Sequence, residues 1–173
     1  MLDSLYNAIF RPAEARRSAQ ATLAIALLII IILALNAAGA THSGVGGLIG
    51  FIILFLLAGG LGWYWFSASI NLIAQLLGGQ GDGSATMQAT VQALWPLLLA
   101  GPAAASTGWS VGLGALFSLA INVGILITLV SAIRRTHQLS WVLATLSLLI
   151  TLSLSFLALF GLFLWPLMIV LGT

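Results

Sequence analysis

Cysteine is absent from the 173 residues, and so is lysine. Without cysteine there is no disulfide, no thiolate metal site and no thiol nucleophile. Without lysine there is no P-loop, because that motif needs a lysine to reach the outer phosphates. Charge is scarce altogether: 5% of residues are Asp, Glu, Lys or Arg, where a soluble domain carries roughly 25%. A chain this poor in charge cannot cover a water-facing surface. Five cations in total are also too few for a nucleic-acid interface.

What fills the chain instead is apolar. Hydrophobic residues make up 61%, and the mean hydropathy is +1.20. A membrane helix needs about 20 predominantly apolar residues. Runs of that kind predict an all-α, polytopic membrane protein with five transmembrane helices, over about 21–40, 45–77, 85–105, 111–133 and 141–170. The second run is too long for one upright crossing, so it must tilt or continue along the interface past Trp63, Tyr64 and Trp65. The third contains Pro96 and Pro102.

Residues 1–18 read as a separate interfacial segment, with 19–173 as the membrane domain. Leu2, Leu5, Tyr6, Ile9 and Ala13 recur at helical spacing, with Asp3, Asn7, Arg11 and Glu14 on other faces. That pattern predicts a short amphipathic helix on the inner leaflet. A signal-peptide reading of ARRSA and NAAGA competes, but the first apolar run is longer than a signal h-region. Orientation follows from the arginines. Arg11, Arg16 and Arg17 precede the first run, and Arg134 and Arg135 lie between the fourth and fifth. Five crossings put all of them on one side, which the positive-inside rule makes cytoplasmic, with the C-terminus outside. A bacterial inner membrane fits. Those five arginines, with His137 beside the last two, are candidate lipid head-group contacts. The alternative for His137 is a helix-end residue near carbonyls, with the arginines as topology anchors.

The stretch LLGGQGDGS, residues 76–84, raises the question of a phosphate loop. Its flanks are membrane helices rather than a βαβ unit, and Asp82 would repel phosphate. A tight cytoplasmic hairpin explains it better. Gly78 or Gly79 ends one helix in a left-handed conformation, and Ser84 or Asp82 caps the next. No Asp, Glu, Lys or Arg lies inside a predicted crossing, so proton-coupled transport lacks its usual groups. Two loop histidines cannot supply a metal or protease constellation, and no cofactor or enzymatic activity is expected.

Neutral polar residues remain, in stripes spaced by four, which puts each set on one helix face. Ser67, Asn71 and Gln75 lie on the second run, Gln88 and Gln92 on the third. Gly114, Ser118 and Asn122 follow on the fourth, and Ser147, Thr151 and Ser155 on the fifth. For the last two sets, helix association suffices. The amides Asn71, Gln75, Gln88 and Gln92 could instead line a cavity open to the cytoplasm. Pro96 cannot donate to the Gln92 carbonyl, which frees an acceptor beside them.

Taken in order, RPAEARR, five spans, NLIAQLLGGQGDGSATMQATVQALWP and RRTHQLSWVLA resemble the Yip family (Ypt-interacting proteins), in particular its short prokaryotic members. The central motif rests on Asn71, Gly78, Gly79, Ser84 and Pro96; Ala144 follows HQLS as in the loop before the family's last span. The resemblance implies a five-span protein with a cytoplasmic N-terminus. Eukaryotic relatives act in vesicle trafficking and bind prenylated Rab GTPases. This chain lacks their long N-terminal region and has Leu143 where many relatives have lysine, so GTPase binding is not carried over. The function expected is a non-enzymatic scaffold that organises membrane lipids, a peripheral partner or further copies of itself. The alternative is a passive transporter, channel or lipid scramblase.

Overall fold

A computed structural model of the chain describes residues 19–172, with side chains described over 22–161. The amphipathic segment, with Arg11, Arg16 and Arg17, lies outside the described residues. Among the described residues there is no strand. The helices are α1 (Ala19–Ala40), α2 (Val45–Leu76), α3 (Gly83–Ala93), α4 (Ala100–Thr107), α5 (Val111–His137) and α6 (Trp141–Leu171), with a 3₁₀ turn at Trp95–Leu99 between α3 and α4. Helices α1, α2, α5 and α6 are each long and apolar enough to cross a bilayer. The protein is an all-helical, multi-pass membrane protein.

The third apolar run is the one that departs from a single helix. Pro96 has no N–H to donate to the Gln92 carbonyl, and the backbone tightens into 3₁₀ geometry, with Leu97 N–H donating to Leu94 O at 2.9 Å. The acceptor that gains a side-chain partner is the next one, Ala93 O, which receives the Thr128 hydroxyl of α5 at 2.6 Å. Gly124 on α5 packs its bare backbone 3.6 Å, measured from a would-be Cβ, from Pro96.

This broken segment, the least apolar of the helical runs, is also the innermost. It packs against α1, α2 and α5, while α6 covers α2 and α5. Thr86, Ala89, Thr90, Val91 and Ala93 of α3 are all buried. One apolar cluster joins Ile70, Ala74, Ala93, Leu129, Ile133 and Leu148 across α2, α3, α5 and α6; another joins Ile25 and Ile29 of α1 to Val91. Both gather around α3. The first half of α2 and the outer face of α6 carry exposed residues such as Leu54, Leu57, Leu61, Phe156 and Leu157. In lipid such a face has no cost, because acyl chains are as apolar as leucine.

Candidate functional site

The loop between α2 and α3 begins with a helix ending of the Schellman type. Gly78 takes φ +90°, a conformation glycine adopts without a Cβ penalty. Gly79 N–H reaches back to Ala74 O at 2.8 Å, and Gly78 N–H to Gln75 O at 3.0 Å. On the far side, Asp82 is the N-cap of α3, its carboxylate accepting from Ala85 N–H at 2.6 Å and from the Ser84 hydroxyl at 2.9 Å. The hairpin expected from the residues is therefore present, with Gly78 as the left-handed residue and Asp82 as the cap.

The glycines between these ends wrap the last residue of α5. His137 is 1% exposed, so its ring faces the protein and not the lipid head groups. Gln80 N–H donates to the His137 carbonyl at 3.1 Å, satisfying one of the orphan acceptors at the end of α5. A Cβ at Gly79 would lie 2.8 Å from His137 Cβ and 2.7 Å from Ala74 O. A Cβ at Gly81 would lie 2.7 Å from His137 Nδ1 and 2.8 Å from Thr136 O. Only a chain without side chains at these two positions can approach so closely.

His137 Nε2 lies 2.9 Å from Thr86 Oγ1 on α3. The Thr86 hydroxyl has one hydrogen, and Asp82 O takes it at 2.8 Å. The histidine is then the donor through Nε2–H, and Nδ1 is the bare nitrogen, packed against Gly81 with no hydrogen-bond partner among the described residues. Asn71 Oδ1 lies 3.3 Å from the same Thr86 oxygen. Gln75 bridges to the loop, its Nε2 donating to Gly81 O at 3.2 Å. One histidine thus ties α5 to α3 and to the loop, and two α2 amides close the other side.

One turn deeper, Thr90 is the hub. It donates to Met87 O at 2.9 Å, accepts from Trp63 Nε1–H at 3.1 Å, and bonds Ser67 at 2.8 Å. Those bonds use all of a hydroxyl's capacity. Thr90→Val should therefore destabilise the fold by about 1–2 kcal/mol, through the lost partner of buried Ser67. Tryptophan fluorescence during denaturation in detergent would measure the loss, because Trp63 reports directly.

The four amides do not gather in one place, although Gln75 Nε2–H donates to Asn71 Oδ1 at 3.5 Å. Asn71 and Gln75 join the histidine clasp. Gln92 lies outside the clasp, donating to Thr22 of α1 at 3.2 Å. Gln88 is half-buried beside it in the sequence of α3. Arg134 lies over the Trp141 ring, 4.9 Å from its centroid, and Arg135 is exposed at the mouth of a cleft between α3 and α5. Of the small-residue stripes, Gly114 packs against Thr107 of α4, exposed Asn122 bonds Ser118 O at 2.8 Å, and Ser147 and Thr151 are fully buried. Thr86 and Thr90 carry the network, and sequence reasoning passed over them. Their four-residue spacing, with Ala89 and Ala93 between and beyond, is the signal that could have found them.

Among the described residues no three His, Cys, Asp or Glu side chains gather as a metal site would require. Compared with models of known families, with curated proteins and with solved structures, the chain matches none of them.

Proposed function

We propose that the protein is a five-crossing membrane scaffold of the Yip type, in which the broken segment α3–α4 is the third crossing. In this reading the hairpin at Gly78–Ser84 and the arginines face the cytoplasm of a bacterial inner-membrane protein, and the C-terminus is outside. The order of the glycine turn, the capped helix and the proline break supports the family resemblance. One observation favours the scaffold over a transport route: among the described residues most interior polar groups bond one another across helices, with only His137 Nδ1, Ser147 Oγ and Ser155 Oγ buried and unpartnered. Ser67 with Thr90, His137 with Thr86, Gln92 with Thr22 and Thr128 with Ala93 O are bonds between helices. The cleft between α3 and α5 measures about 80 Å³, whereas pockets for small molecules run to roughly 300–1,000 Å³.

A scaffold should move nothing. Full-length protein in liposomes is expected to pass neither an entrapped anionic dye nor a fluorescent phospholipid faster than empty vesicles do. Lipid scrambling above that background would replace the scaffold with a scramblase. Removing residues 1–10 should weaken lipid or partner association while leaving the helical bundle folded.

A further inference from the structure

The cleft between α3 and α5 is separate from the histidine clasp, and its lining has an order. Arg135 stands at the mouth. Ser131 lies one turn deeper, and Thr128 one turn deeper again, about 6 Å and 10 Å along the axis at 1.5 Å per residue. Gln92 faces them from α3, and Trp95, at the proline break, contributes an aromatic wall. Thr128 spends its hydrogen on Ala93 O, so the donors left for a ligand are Arg135, the Ser131 hydroxyl and the second amide hydrogen of Gln92. Among the described residues no acid lines the cleft, and the only carboxylate side chain is Asp82. The C-terminal end of α5 would by itself repel an anion, but Arg134 and Arg135 sit in that last turn and reverse the sign.

We infer that this cleft binds a phosphate ester, held by Arg135 from above and by Ser131 and Gln92 from the sides. Its volume of about 80 Å³ is well below the roughly 300–1,000 Å³ of a drug-sized pocket. That admits a phosphate and the carbon next to it but no acyl chain. The planar guanidinium suits such an oxyanion, because it can donate two parallel bonds. Arg134 is engaged over Trp141, which among the described residues leaves Arg135 as the cation able to turn inward. The natural source is a phospholipid whose chains run down the exposed apolar faces of the helices. The inference rests on the membrane reading above but not on the absence of transport, so the liposome flux assay can fail without touching it.

The test uses the full chain in detergent, with native mass spectrometry and thermal melts. The probes are phosphatidylglycerol, diacylglycerol with the same chains, and inorganic phosphate. The parent protein should retain phosphatidylglycerol and not diacylglycerol. Arg135→Gln should reduce retention about tenfold, and Ser131→Leu, which fills the cleft, should reduce it as much. Arg135 is exposed, so Arg135→Gln should melt like the parent when no lipid is added. Arg134→Gln should change retention less than about twofold. An Arg135-dependent stabilisation by inorganic phosphate would support the site and assign its source to a free anion. Equal retention of diacylglycerol, or equal losses from Arg134→Gln and Arg135→Gln, would overturn the site.

Discussion

Gly81→Ala is expected to destabilise the protein by about 2–3 kcal/mol. The added methyl would meet the His137 ring on one side and the Thr136 carbonyl on the other, both closer than 3 Å. The ring cannot retreat, since it is packed to 1% exposure and bonded to Thr86. The carbonyl belongs to the last turn of α5 and cannot move without the helix. Relief must come from the loop, which would break Gln75 Nε2–H to Gly81 O and Gln80 N–H to His137 O. Gly83→Ala is the matched control, because its Cβ would meet only Asn71 Nδ2 at 3.8 Å. Chemical denaturation in detergent should separate the two variants clearly, with Gly83→Ala near the parent.

His137→Ala should cost about as much or more, about 3 kcal/mol, as the removal of a fully buried ring leaves a cavity and strips Thr86 of a partner. His137→Phe divides that cost. It restores most of the volume and lacks the Nε2 donor, so it should recover all but about 1 kcal/mol. Were the two variants equally unstable, the hydrogen bond would dominate over packing. Both variants keep the backbone bond from Gln80, so the loop should stay tethered and the loss should appear in the contact between α3 and α5.

Much of this arrangement is legible along the chain, for a physical reason. Helix ends are local. Gly-Gly after Leu77 and Asp-Gly-Ser before Ala85 determine their own hydrogen bonds within a few residues, and the turn forms as those residues imply. The long apolar runs are equally local: α1, α2, α5 and α6 begin and end within a few residues of those runs, while the third run is broken at Pro96. What escapes is rotation about each helix axis. Period-four spacing says that Gln88 and Gln92 share a face with each other, and nothing about which neighbour that face meets. Thr86 and Thr90 share a different face, 51 residues in sequence from His137 in the case of Thr86, and that face turns to α2 and α5. Amides stand out in an apolar sequence because they are costlier to bury than hydroxyls. Burial, however, favours the side chain that can satisfy itself, and a threonine bonded to its own i−4 carbonyl arrives already half satisfied.

The placement of α3 also bears on how the molecule is put together at synthesis. Its eleven residues, GSATMQATVQA, span only about 16 Å and offer lipid little reason to accept them. Helices α1 and α2 emerge before it and can enter the bilayer by their own hydrophobicity. α3 gains its bonds to Thr128 and His137 only once α5 has been made. The innermost part of the protein therefore completes its bonds only after later helices exist, and a nascent chain halted at Thr107 would hold α3 by its bonds to α1 and α2 alone.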